Sequence, residues 1–115
     1  MGAPESDAVE LTDVVIDDYV HHRWSDISAR FDDVMRARLT DAELADGWAY
    51  IVSLAGPYES HGDTTVVRRG HFTVTDTPLV FETGHFVARV TFRDDRTIAG
   101  LFILDPEAAG DGPPG

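Results

Sequence analysis

The 115-residue sequence contains no cysteine, and all nine of its basic residues are arginine; lysine is absent. Without cysteine there is no disulfide, no thiol nucleophile and no cysteine-ligated zinc. The nine arginines face 21 carboxylates, which leaves a net charge of −12. A nucleic-acid surface needs clustered cations to release counterions from phosphates, so no nucleic-acid partner is expected, and anionic membranes are disfavoured for the same reason. Long apolar runs are missing as well, and the opening MGAPESDAVE has neither the basic region nor the apolar core of a secretory signal. No membrane association and a cytoplasmic location are therefore expected. No Asp-x-Asp-x-Asp-Gly calcium loop and no Gly-x-Ser-x-Gly elbow occurs, and no cofactor is expected. The absence of lysine alongside abundant Ala, Asp and Gly has the look of GC-rich coding.

What is present is an ordinary globular mixture, 43% apolar and 26% charged. A chain of this length buries roughly two-thirds of its unfolded surface as one domain. That domain is expected over residues 7–105, with disordered ends at 1–6 and at 106–115, the latter for its DPEAAGDGPPG composition. In SDAVELTDVVIDDYVHHRW, Ala8, Leu11, Val14, Val15, Asp18, Tyr19 and His22 recur at helical spacing, and Asp7 is a candidate cap. Ser25 is placed to cap a second helix with the stripe Ile27, Phe31, Val34, Met35 and Leu39. Thr40 and Glu43 form a capping box before a third, which stops at Gly56-Pro57.

From Tyr58 the period changes to two. Four strands are expected, at about 58–68, 71–82, 85–93 and 97–104, joined by turns too short for crossovers. The fold class is thus α+β: three N-terminal helices packed on a bent four-stranded antiparallel meander. A hairpin tip at Thr83-Gly84 sets Phe81 against Phe86 and Thr75 against Phe92. A turn at Arg69-Gly70 sets Asp63 against Asp76, an unfavourable pair that a bend near Gly62 is expected to relieve. The last strand, TIAGLFIL, is apolar on both faces, so the face away from the helices needs cover. A second copy of the same sheet supplies it most simply, and a homodimer through Val87, Arg89, Leu101 and Ile103 is expected.

The segments WSDISARFDDVMRARL, WAYIVSLAGPYES, FTVTDTPLVFETGHFVARVTF and IAGLFILDP together resemble domain-of-unknown-function family 3887. The order of helices and strands also resembles the nuclear transport factor 2-like, cystatin-like cone fold. The likeness covers residues 10–106 and implies that fold and dimerisation; it implies no catalytic residues. Arg96 stands where such proteins often have a turn glycine.

The cone fold implies a pocket between sheet and helices. His22, Trp24, Phe31, Trp48, His71, Thr75 and Phe81 are the expected lining, and the expected role is to bind a small apolar ligand or a protein partner through this pocket and the sheet face. Tyr19 with Asp18 or Asp32 would be the acid–base groups of a small isomerase or cyclase acting on a polyketide- or steroid-like carbonyl compound. The plainer expectation is that Asp32 serves its helix and Tyr19 the core. No metal site is expected, because no two of the five histidines stand at i, i+4. Arg89 is read as an interface or rim residue paired with Glu82 or Glu59.

Overall fold

The computed structural model describes residues 4–106, in which helices come first and strands follow. The helices are α1 (Pro4–Val20), α2 (Trp24–Ser28), α3 (Asp33–Arg38) and α4 (Asp41–Ala55). The strands are β1 (Tyr58–His61), β2 (Thr65–Arg69), β3 (Phe72–Phe81), β4 (Gly84–Phe92) and β5 (Ile98–Leu104). The mixed α+β architecture expected from the sequence is present, with an open antiparallel sheet. No helix among the described residues is long and apolar enough to cross a membrane. The ends expected to be disordered lie outside the described residues, except that α1 already begins at Pro4, so Asp7 is inside the helix rather than its cap.

The expected second helix is two short ones. Between them Phe31 forms a parallel bridge with Ile98, and the Ile98 N–H and C=O bond Arg30 O and Asp32 N at 2.8 and 2.9 Å. Pairing with a strand edge requires extended backbone, which breaks the helix. Ser25 lies inside α2; Asp32 caps α3, its Oδ1 accepting from Met35 N at 2.8 Å. The Thr40–Glu43 capping box forms as expected, and α4 closes at Gly56 with φ 79°.

The sheet order is β1-β3-β4-β5, with β2 also on β3. The expected first strand is therefore two, interrupted at 62–64, where Gly62 N donates to Pro78 O at 2.9 Å. β2 then pairs Thr65, not Asp63, with Asp76, and the turn is Gly70-His71. The β3–β4 register also differs from expectation by two residues: Phe81 faces Gly84, Leu79 faces Phe86 and Thr75 faces Val90. The cause is α4. In the tip, Thr83 N donates to Ala55 O at 2.8 Å and Glu82 N to Pro57 O at 3.0 Å, satisfying carbonyls at the helix end. These bonds make Glu82-Thr83 the turn. Because a slip of two preserves facing, the inward set survives the error.

The inner face of β3 carries Thr73, Thr75, Thr77, Leu79 and Phe81, all buried. Its hydroxyls are matched within the chain. Thr12 donates to Ala8 O at 2.7 Å and meets Thr75 Oγ1 at 2.7 Å. Either hydroxyl can donate in that contact, and Thr75 Oγ1 also reaches Val90 O at 3.3 Å. Thr77 bonds Thr64 at 2.7 Å, and Arg68 Nη1 donates to Thr73 at 3.1 Å. α1 thus lies on the sheet through hydroxyls as well as through Ala8, Val15 and Ile16, while Val14, counted in its stripe from the sequence, is 40% exposed.

The β4–β5 turn puts Arg96 at φ 72°, the left-handed position where glycine is favoured. Hydrogen bonds from the Thr97 hydroxyl and N–H hold the Asp95 carboxyl below the usual range and brace this turn.

Thr12→Val and Thr75→Val should each cost about 1 kcal/mol, since each removes a buried hydroxyl-to-hydroxyl hydrogen bond while the surviving hydroxyl keeps a backbone carbonyl. The double variant should lose less than the sum, because it removes both partners. Urea denaturation of the four proteins checks this; strict additivity would mean that the contact does not hold α1 in place.

Candidate functional site

At the end of α1 the chain turns sharply. Arg23 N donates to Asp18 O at 2.8 Å and His22 N to Tyr19 O at 3.1 Å, with His22 at φ 59°. This is a Schellman termination with histidine in the glycine position. His22 therefore leaves the inward stripe and stacks, exposed, on Trp24 at 5.2 Å.

The turn also brings Arg23 back over Asp18. Its Nε donates to Asp18 Oδ1 at 2.8 Å, and Nη2 bonds the Asp17 carboxylate. Asp18 Oδ2 is buried and has no hydrogen-bond partner among the described residues. Next to it Tyr19 packs against Trp48 at 5.2 Å and Trp24 at 5.9 Å, and Trp48 continues to Phe81 at 5.5 Å. Burial pushes the Tyr19 phenol well above its ordinary value, so it remains a proton donor. Tyr58, on the far side of Trp48, is raised by burial and then by the Asp17 charge.

Asp18, Tyr19, Trp24, Trp48 and Phe81 are thus together, in an aromatic cluster whose rings pack on one another. The remaining expected residues are elsewhere. Phe31 packs at β5, and Thr75 lies under α1. The His71 side chain is 93% exposed in the β2–β3 turn, 3.8 Å from Asp94, so it does not line the interior. Asp32 caps α3 and accepts from Arg93 at 3.2 Å; both its oxygens are occupied.

The four expected interface residues divide between the two faces. Val87 and Arg89 point outward, whereas Leu101 and Ile103 pair with Val90 and Ala88 on the helix side, Leu101 buried in the core. Phe102 and Leu104 are the outward residues of β5, opposite Arg89 and Val87. Arg89 pairs with neither Glu82 nor Glu59. It donates to both oxygens of Asp76, directly across the strands, at 2.7 and 2.8 Å. Sequence reasoning sought an outer partner at the turns and missed the cross-strand position because of the register slip.

A groove of about 660 Å³ between α3 and β5 was not anticipated. Val34, Phe72 and Phe102 line it and are 57%, 38% and 55% exposed. Val34 was assigned to a buried stripe; the break at Phe31-Asp32 turned it outward.

The profile of a family described as "Protein of unknown function (DUF3887)" matches residues 12–101. The chain belongs to this family. The match runs from α1 into β5 and so takes in the DUF3887 domain's aromatic cluster, while Phe102 and Leu104 of the groove and outer sheet face lie just beyond it. No curated protein and no solved structure matches the chain.

Two outcomes follow from the Asp18–Tyr19 pair. Arg23→Ala leaves one oxygen of the buried Asp18 side chain without its donor and should lower the urea midpoint. The folded state retains the Tyr19 proton where the unfolded chain begins to lose it, near pH 10. Stability should therefore fall as pH rises above about 9–10, and Tyr19→Phe should flatten that decline. An unchanged slope in Tyr19→Phe would contradict the burial of the hydroxyl.

Proposed function

We propose that this is a small binding domain of nuclear transport factor 2-like design which acts by association, as a homodimer through the outer face of its sheet. The observation that carries this reading is the composition of that face. Val67 is 48% exposed and Phe102 55%, and Val74, Val80, Val87 and Leu104 are half-buried beside them. At their centre the Asp76–Arg89 pair is already satisfied within the chain. A second copy can bury this face without leaving a charge unpaired, which is the condition a buried ion pair must meet. A two-fold contact uses the same patch twice, so one apolar face is sufficient. The helices occupy the other face, which supports the cone-fold reading, and the aromatic cluster behind Asp18 is where that reading puts a small apolar ligand.

One observation favours the alternative, an acid–base isomerase or cyclase acting on a polyketide- or steroid-like carbonyl compound. Among the described residues Asp18 Oδ2 is a buried acceptor with no partner, beside a tyrosine held protonated. Consecutive helical residues aim about 100° apart, however, and Asp18 Oδ1 is bound to Arg23.

Sedimentation equilibrium should give a dimer for the natural protein at micromolar concentration. Val87→Asp should give a folded monomer with an unchanged circular dichroism spectrum. A native monomer, or a dimeric Val87→Asp, overturns the association reading. Asp18→Asn with undiminished dimerisation but lost turnover of a carbonyl substrate would move the case to the enzyme.

A further inference from the structure

The α3–β5 groove shares Phe102 with the outer sheet face and adds an arginine that no carboxylate of the described residues engages. In a chain with more than two carboxylates per arginine, most guanidiniums are matched. Arg23, Arg68, Arg89, Arg93 and Arg96 each contact an aspartate within 4 Å. Arg38 makes no hydrogen bond or ion pair among the described residues, and it lines the groove. Arg93, at the same groove, is engaged by Asp32 at 3.2 Å and lies over the Phe72 ring at 5.8 Å.

The walls are mostly apolar, Val34, Met35 and Leu39 on the α3 side and Phe72, Ala99 and Phe102 on the sheet side; Asp32, which also lines the groove, is neutralised by Arg93. Gly100 keeps the floor low; the Phe102 ring passes 3.5 Å from where its Cβ would be. The volume of about 660 Å³ falls in the range of small-molecule sites, roughly 300–1,000 Å³.

We propose that this groove binds an aliphatic monocarboxylate, with the hydrocarbon chain along Val34, Leu39, Phe72 and Phe102 and the carboxylate on the Arg38 guanidinium. The planar fork of arginine matches a carboxylate with two parallel hydrogen bonds. Charge selects the class further. A polyanion, such as an acidic peptide or a phosphate-rich surface, would meet the rest of a protein of net charge −12. A single negative charge at one free arginine avoids that repulsion, and its long apolar body gains most from an apolar groove. Such a ligand is distinct from one held in the aromatic cluster, because it sits on the opposite side of the β5 edge, against α3.

The test uses dodecanoate, below its micellar concentration, and dodecanol as the uncharged counterpart. Both are titrated into the natural full-length protein and followed by amide shifts in a heteronuclear NMR spectrum. Saturable dodecanoate binding with shifts at Val34, Ala99 and Phe102 is expected. Arg38→Gln should weaken it about tenfold while leaving dodecanol binding unchanged. Val34→Asp should abolish dodecanoate binding; because that side chain is 57% exposed, the fold should be unaffected. Phe102 belongs to both the groove and the association face, so binding should persist in the monomeric Val87→Asp, where that side chain is not covered by a second copy. Absence of saturable binding, equal binding by Arg38→Gln, or shifts confined to Trp24, Trp48 and Phe81 would overturn the proposal.

Discussion

The fold depends on hydroxyl groups being satisfied in a place where a sheet would ordinarily bury hydrocarbon. β3 has neighbours along both edges, and its inner face begins with three threonines before it reaches Leu79 and Phe81. A buried hydroxyl without a partner costs more than a buried methyl gains. Each of these threonines therefore constrains something else. Thr75 meets Thr12, which ties α1 to the sheet, though it also reaches Val90 O at 3.3 Å; Thr77 bonds Thr64, which ties down the path after β1; Thr73 accepts from Arg68 of β2. The aromatic end of the same strand has no such demand and packs by shape, through Phe81 on Trp48 and Trp48 on Tyr19. One strand thus supplies a polar clasp at one end and an apolar anchor at the other.

The sequence made the alternation of that strand legible, and with it the α+β class and the inward residues. It also made α4 legible, because a capping box and a terminal Gly-Pro are local signals that act within one turn of helix. What it did not show were decisions taken between elements. The glycine at 84 looked like a hairpin tip, but the carbonyls at the end of α4 needed donors and drew the turn to Glu82-Thr83. The stripe from Ile27 to Leu39 looked continuous, but Ile98 required an extended partner and interrupted it at Phe31. In both cases backbone hydrogen bonding outweighed the local pattern, as expected when unpaired buried amides are costly.

Site residues were legible to the extent that they follow helix geometry. Asp18 and Tyr19 were placed inward correctly; His22 was not, since the helix ended two residues before it in a turn that histidine adopts only at some strain. The faces of β5 were misassigned for a related reason. One extra residue at the start of that strand, where Phe92 faces Ile98 but Thr91 faces Gly100, moves every later side chain to the other face. Nothing in TIAGLFIL distinguishes the two choices, because both faces are apolar.

Charge gives the last step. The two carboxylates that looked chemical from the sequence are tied to structure, Asp32 to a helix cap and Arg93, and one oxygen of Asp18 to Arg23; Asp76 and Asp94 are likewise held by Arg89 and Arg68. A protein this acidic uses its few cations to hold its own loops and strands, and that leaves little charge for a ligand. The exceptions then mark where an external partner would change the balance least unfavourably. Among the described residues Asp18 Oδ2 and Arg30 Nε are buried without a hydrogen-bond partner, and the Arg38 guanidinium is exposed without one. Of the three, Arg38 lines the apolar groove, so the energy of burying hydrocarbon can add to the ion pair there. At Asp18 the neighbouring rings have already filled that space with one another.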